Sequence, residues 1–88
     1  MSYKISDEAM ARNAHIPDSE VLQDIRDTEA EIAQMERELP GLRLSAEAGD
    51  RWADMRAKAR ETGIVERRAF IEKLTVLMAA REKERRDG

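Results

Sequence analysis

The side chains of this 88-residue sequence that could do chemistry are its arginines, one tryptophan and one histidine; cysteine is absent. His15 has no second histidine at metal-ligand spacing and no serine placed to form a triad with it, so it is expected to fill a structural or surface role. Carboxylates are plentiful, but they recur with bases three or four residues away, as Glu82 does with Arg86, which is the pattern of solvated ion-pair faces. Gly41, Gly49, Gly63 and Gly88 are isolated, and no glycine-rich phosphate loop can be read from them. With no nucleophile, metal set or acid–base pair in view, the sequence predicts a protein that is not an enzyme and that carries no cofactor. What remains is the basic side of the second half, with Arg51, Arg56, Lys58, Arg60, Arg67 and Arg68. Two or three such guanidiniums at a subunit seam could hold a compact phosphate ligand through forked donors. The simpler expectation is neutralisation by acidic residues elsewhere in the chain or in another subunit. A net charge of -3 opposes the counterion release that drives binding to duplex nucleic acid, so that partner is not expected.

Helices must position these residues. Charged residues make up 40% of the chain and aromatics only 3%, the composition of long solvated helices rather than of a β-sandwich. From Asp18 to Leu39 there are eight acids and two bases, and from Arg51 to Arg86 eleven bases and six acids. One helix is therefore acidic and the other basic. Val21, Ile25, Thr28, Ile32, Met35, Leu39 and Leu42 follow one another in unbroken steps of four and three, a heptad seam. Asp18 or Ser19 is placed to cap its first turn, and Pro40-Gly41 reads as its stop. Ser45 or Asp50 can cap the next helix, whose seam opens with Trp52, Met55 and Ala59. Past that point a strict heptad fails, and Trp52, Gly63 and Leu74 recur at steps of eleven.

The expected fold is all-α: an antiparallel, coiled-coil-like hairpin of two long helices in a single domain spanning residues 1–88. It comprises an N-terminal segment 1–16 with a short helix capped by Ser6, a first helix 18–39, a turn 40–46 and a second helix 47–86. Pairing Leu39 with Trp52 across the turn sets Thr28 beside Gly63 and Val21 beside Phe70. The second helix then overhangs the first from about Leu74. The apolar residues there, Phe70, Ile71, Leu74, Leu77 and Met78, are the expected self-association face, since one partner helix cannot bury so broad a stripe. A homo-oligomer is expected. No apolar run reaches the length of a membrane span and the first residues lack the character of a signal peptide, so the protein is expected in the cytoplasm, with no membrane partner.

Arg51-Trp52, followed by Thr62-Gly63-Ile64-Val65 and Arg67-Arg68, resemble the second helix of the small phage proteins that sequester cyclic oligonucleotide signals and so blunt CBASS immunity. The chain length, the short N-terminal helix and the two-helix body are also similar. The resemblance implies a compact homo-oligomer that holds cyclic dinucleotides between subunits through basic, hydroxyl and aromatic side chains. On this sequence those are Arg51, Trp52, Thr62 and Gly63, with Arg67 and Arg68 beside them and Arg26 reaching in from the first helix. Two functions follow as expectations. The first is a self-associating helical protein that acts by binding a protein partner, as a phage or bacterial inhibitor or adaptor would; the second is a cyclic-nucleotide sponge.

Overall fold

The computed structural model describes residues 16–87, which form two helices, α1 (Asp18–Glu47, 30 residues) and α2 (Arg51–Asp87, 37 residues), packed antiparallel as a hairpin. The rod they make measures 59 × 21 × 16 Å. The expected short helix at Ser6, and His15, lie outside the described residues. No described helix is long and apolar enough to cross a membrane.

The first helix does not stop at Pro40. It runs on to Glu47 with Pro40 inside it, although a proline there removes the amide that would bond to the Glu36 carbonyl and costs roughly 3 kcal/mol in a helix interior. Tertiary packing outweighs that cost. Leu39, Leu42 and Ala46 continue the seam without interruption, and Leu39 and Leu42 belong to the core built around Ile32, Ala57 and Ile64. Breaking α1 at Pro40 would uncover that end of the core. Pro40 itself is on the exposed face, where its ring meets solvent.

The chain reverses at 48–50 through a compact set of backbone bonds. The Gly49 amide donates to the Ala46 carbonyl and the Asp50 amide to the Ser45 carbonyl, both at 3.0 Å, which is the Schellman arrangement that satisfies the last carbonyls of a helix. It requires a positive φ, and Gly49 has φ 101°. Asp50 then starts α2: its Oδ1 accepts from the amides of Trp52 (3.0 Å) and Ala53 (3.2 Å). Ser45, the other candidate, is inside α1. At the far end Pro17 occupies the capping position and no side chain caps α1. Asp18, expected to cap, instead accepts from Arg81 and Arg85, both at 2.9 Å.

Extending α1 by two turns moves the register. Asp18 lies against Arg81, and Met35 rather than Thr28 covers Gly63, its Cε 3.3 Å from where a Cβ would stand. Thr28 and Gly63 therefore do not share a layer. Thr28 is buried (5% exposed) and satisfied by donating to the Asp24 carbonyl at 2.7 Å. The overhang expected from Leu74 begins only beyond Arg81, and Leu74 is a core residue at 6% exposure.

On α2 the inward seam is Ala53, Ala57, Arg60, Ile64, Arg67, Ile71, Leu74, Met78 and Arg81, all buried or half-buried. It steps by four and three throughout, so the heptad does not fail; three of its members are arginines, and an apolar pattern skips over them. Trp52, Met55 and Ala59, expected to open the seam, point to solvent.

Two substitutions probe these features. Pro40→Ala is expected to raise unfolding stability by about 1–3 kcal/mol, restoring an amide to the helix interior. Gly49→Ala is expected to lower it by about 1–2 kcal/mol, from the Cβ strain of the positive φ. Urea unfolding followed by circular dichroism measures both, and a proline variant of unchanged midpoint would show that α1 gains nothing from a continuous hydrogen-bond ladder.

Candidate functional site

The charge asymmetry of the sequence resolves into ion pairs between the helices. Arg60 Nε donates to Glu38 Oε2 at 2.7 Å, Arg67 Nε to Glu31 Oε2 at 2.6 Å, and Arg68 Nη2 to Glu36 Oε1 at 3.2 Å. Arg43 pairs in the opposite sense with Glu61 at 3.0 Å. At the open end Arg81 and Arg85 share the Asp18 carboxylate, and Arg81 Nη1 also donates to the Ile16 carbonyl at 2.6 Å. Arg60, Arg67 and Arg81 start from seam positions, from which their stems run along the interface and their guanidiniums emerge beside the acids of α1. Arg67 and Arg81 are the most enclosed, with side chains 15% exposed.

Two carboxylates record this electrostatics. The hydrogen bond from Arg81, reinforced by Arg85, holds the Asp18 carboxyl below its ordinary value, and the bond from Arg60, with a second from Gln34, does the same for Glu38.

The residues singled out from the sequence fall into separate groups. Arg51 and Trp52 occupy the first turn of α2, where Trp52 is 70% exposed. Gly63 lies eleven residues on, about 16 Å along the helix. Thr62, Gly63 and Arg67 do come together, lining a shallow groove with Met35 and Ala59. Gly63 keeps that groove tight: a Cβ would stand 3.0 Å from Arg67 Nη1 as well as against Met35. Arg68 is on the opposite flank, beside Glu36 and Ile71. Arg26 is exposed on α1. Among the described residues no ion pair includes Arg26, Arg51 or Arg56, whereas Arg67 and Arg68 are engaged by α1. Of the expected self-association face, Ile71, Leu74 and Met78 lie in the intramolecular seam, while Phe70 and Leu77 are half-buried at its edge.

Among the described residues the arrangement leaves other apolar side chains of α2 exposed. Trp52, Met55, Ala59, Thr62, Glu66, Ala69, Lys73, Val76 and Ala80 form a second unbroken series of four- and three-residue steps outside the intramolecular seam; Ala59, Thr62 and Glu66 border the groove with Met35 of α1, and Glu66 and Lys73 are half-buried. Seven of its nine members are uncharged, and Trp52, Met55 and Val76 are at least 60% exposed. A second heptad series on one helix is the sequence signal for this surface. Trp52, Met55 and Ala59 are its first members, and they belong to the outside of α2 rather than to the intramolecular seam.

Comparisons with protein-family models, curated proteins and solved structures returned no match to this chain.

The titration of Asp18 and Glu38 gives a direct check on the clasps. Both folded carboxyls titrate below their unfolded values, so their contribution to stability is complete above the unfolded carboxylate range of about pH 4–5 and is lost as pH falls through the folded values. Thermal stability is expected to drop between about pH 4.5 and pH 2, and the Asp18→Asn/Glu38→Gln double variant to show a shallower drop. Equal acid sensitivity in the variant would assign the effect to other carboxylates.

Proposed function

We propose that this chain is a non-enzymatic, self-associating helical hairpin that acts by binding a partner, and that the outer heptad stripe of α2 is its principal contact surface. The observation that carries this reading is the exposure of Trp52, Met55 and Val76 at positions of one heptad series. Scattered exposed apolar residues are ordinary, but exposed apolar residues that share one heptad register lie on the side of a helix that a further helix can pack against. A two-helix hairpin also buries little surface for its length, so association with another chain adds stability that the isolated hairpin lacks.

The residues of the intramolecular seam and those of the outer stripe are expected to respond differently to charge. Val76→Lys leaves the hairpin folded and lowers the sedimenting mass. Leu74→Lys buries an unpaired ammonium between α1 and α2 and unfolds the protein. A monomeric wild type by sedimentation velocity would remove the proposal, as would a Val76→Lys protein of unchanged mass.

A second reading is favoured by the first turn of α2, where the exposed indole of Trp52 sits among Arg51 and Arg56, neither of which has an ion-pair partner among the described residues. An aromatic face with unpaired guanidiniums suits a base and its phosphates, and the ligand class implied by the resemblance to phage sponge proteins is a cyclic dinucleotide. In this reading the separated groups Arg51/Trp52 and Thr62/Gly63/Arg67 meet across subunits. Cyclic dinucleotides are then expected to raise the melting temperature, and Arg51→Ala and Arg67→Ala to reduce the rise. Absence of binding heat across a panel of cyclic dinucleotides would eliminate this reading without touching the first.

A further inference from the structure

On the flank of the hairpin opposite the Gly63 groove, a shallow apolar trough runs between Leu39 and Pro40 of α1 and Ile64 and Val65 of α2. An ion pair closes each end: Arg43 with Glu61 at 3.0 Å toward the turn, and Arg68 with Glu36 at 3.2 Å toward the open end. The pairs are one heptad apart, about 10 Å along the helices, and their polarity is reversed. Toward the turn the arginine belongs to α1; toward the open end it belongs to α2.

The reversal has a sequence origin. Residues 36–43 and 61–68 share the frame Glu-x-x-apolar-apolar-x-x-Arg, with Leu39-Pro40 in one and Ile64-Val65 in the other. Two copies of one frame on antiparallel helices are related by a local half-turn through the middle of the trough. That rotation exchanges Glu36 with Glu61, Pro40 with Val65 and Arg43 with Arg68. Charges therefore alternate around the trough as a square, with the apolar residues at its centre.

We infer that this trough is a self-complementary docking face for a second copy of the chain, packed face to face about a two-fold axis. A square of alternating charges laid on its own image brings every arginine over a glutamate of the other copy, whether the two hairpins run parallel or antiparallel. An isologous contact needs that property. All four side chains are about half exposed or more, so each has donors or acceptors left for a second partner. Val65, 66% exposed, and Pro40 supply the apolar centre that the contact buries. The pairs within each hairpin hold the long side chains in place beforehand, which lowers the entropy lost on docking. A partner of uniform charge meets two like charges on this face and is rejected. The contact is separate from the outer stripe of α2, and either surface can fail without the other.

Two double variants test it. Arg43→Glu/Arg68→Glu makes the square wholly acidic, and Glu36→Arg/Glu61→Arg makes it wholly basic; exposed ion pairs add little to stability, so both are expected to remain helical by circular dichroism. Each alone is expected to sediment at a lower mass than the wild type, and an equimolar mixture to regain the wild-type mass through acidic-on-basic pairing. Variants that keep the wild-type mass, or that lose it without recovery on mixing, overturn the inference. Val76→Lys run in parallel separates the two surfaces. If it alone dissociates, the outer stripe stands and the trough fails; if only the square variants dissociate, the trough stands and the stripe fails.

Discussion

Three arginines in the buried seam of α2 are tolerable only because α1 presents an acid beside each of them. Arg60, Arg67 and Arg81 occupy positions that a coiled coil ordinarily gives to leucine or isoleucine, and a guanidinium left in such a place without a partner carries a large desolvation cost. Glu38, Glu31 and Asp18 remove that cost by drawing the charged ends to the flank while the stems stay in the interface. The pairing specifies more than it stabilises. Sliding one helix past the other by a turn would strand all three arginines, so the ion pairs act as a register key along the length of the hairpin.

Register, in turn, decides which apolar residues are left exposed among the described residues. Because α1 continues through Pro40 to a Schellman turn at Gly49, α2 is matched almost to its end and Leu74 is enclosed within the hairpin. The second long helix does not overhang as a greasy half. Its spare apolar surface lies instead along the outside, from Trp52 to Val76, and in the trough between Pro40 and Val65. Among the described residues the hairpin is thus matched end to end and leaves apolar side chains exposed on two faces. Each of those faces has an internal order, one heptad and one two-fold, that isolated apolar residues lack.

The same packing sorts the cations. Those at seam positions and at Arg68 are engaged by α1, while Arg51 and Arg56, near the turn, are left facing solvent beside Trp52. Five of the eleven bases of the second half, Arg60, Arg67, Arg68, Arg81 and Arg85, are thus counterparts to acids of α1, and Lys58 pairs with Asp54 within α2.

The heptad of Val21 to Leu42, the acidic and basic halves, and the capping chemistry at Asp50 are local or periodic properties of the sequence, and by themselves they determine an antiparallel hairpin with cross-helix neutralisation. The extent of α1 is not legible in the same way, because the local preference of Pro40-Gly41 to end a helix competes with packing from Leu39, Leu42 and Ala46 whose strength depends on residues far along the chain. The seam of α2 is hidden for a related reason. Its two heptad stripes are equally regular, and the one with fewer charges looks more like a core; only when α1 supplies carboxylates at the right height does the arginine-bearing stripe become the one that is buried. Which face is inside, and so which is left exposed, is a choice between nearly equivalent local patterns that the other helix makes.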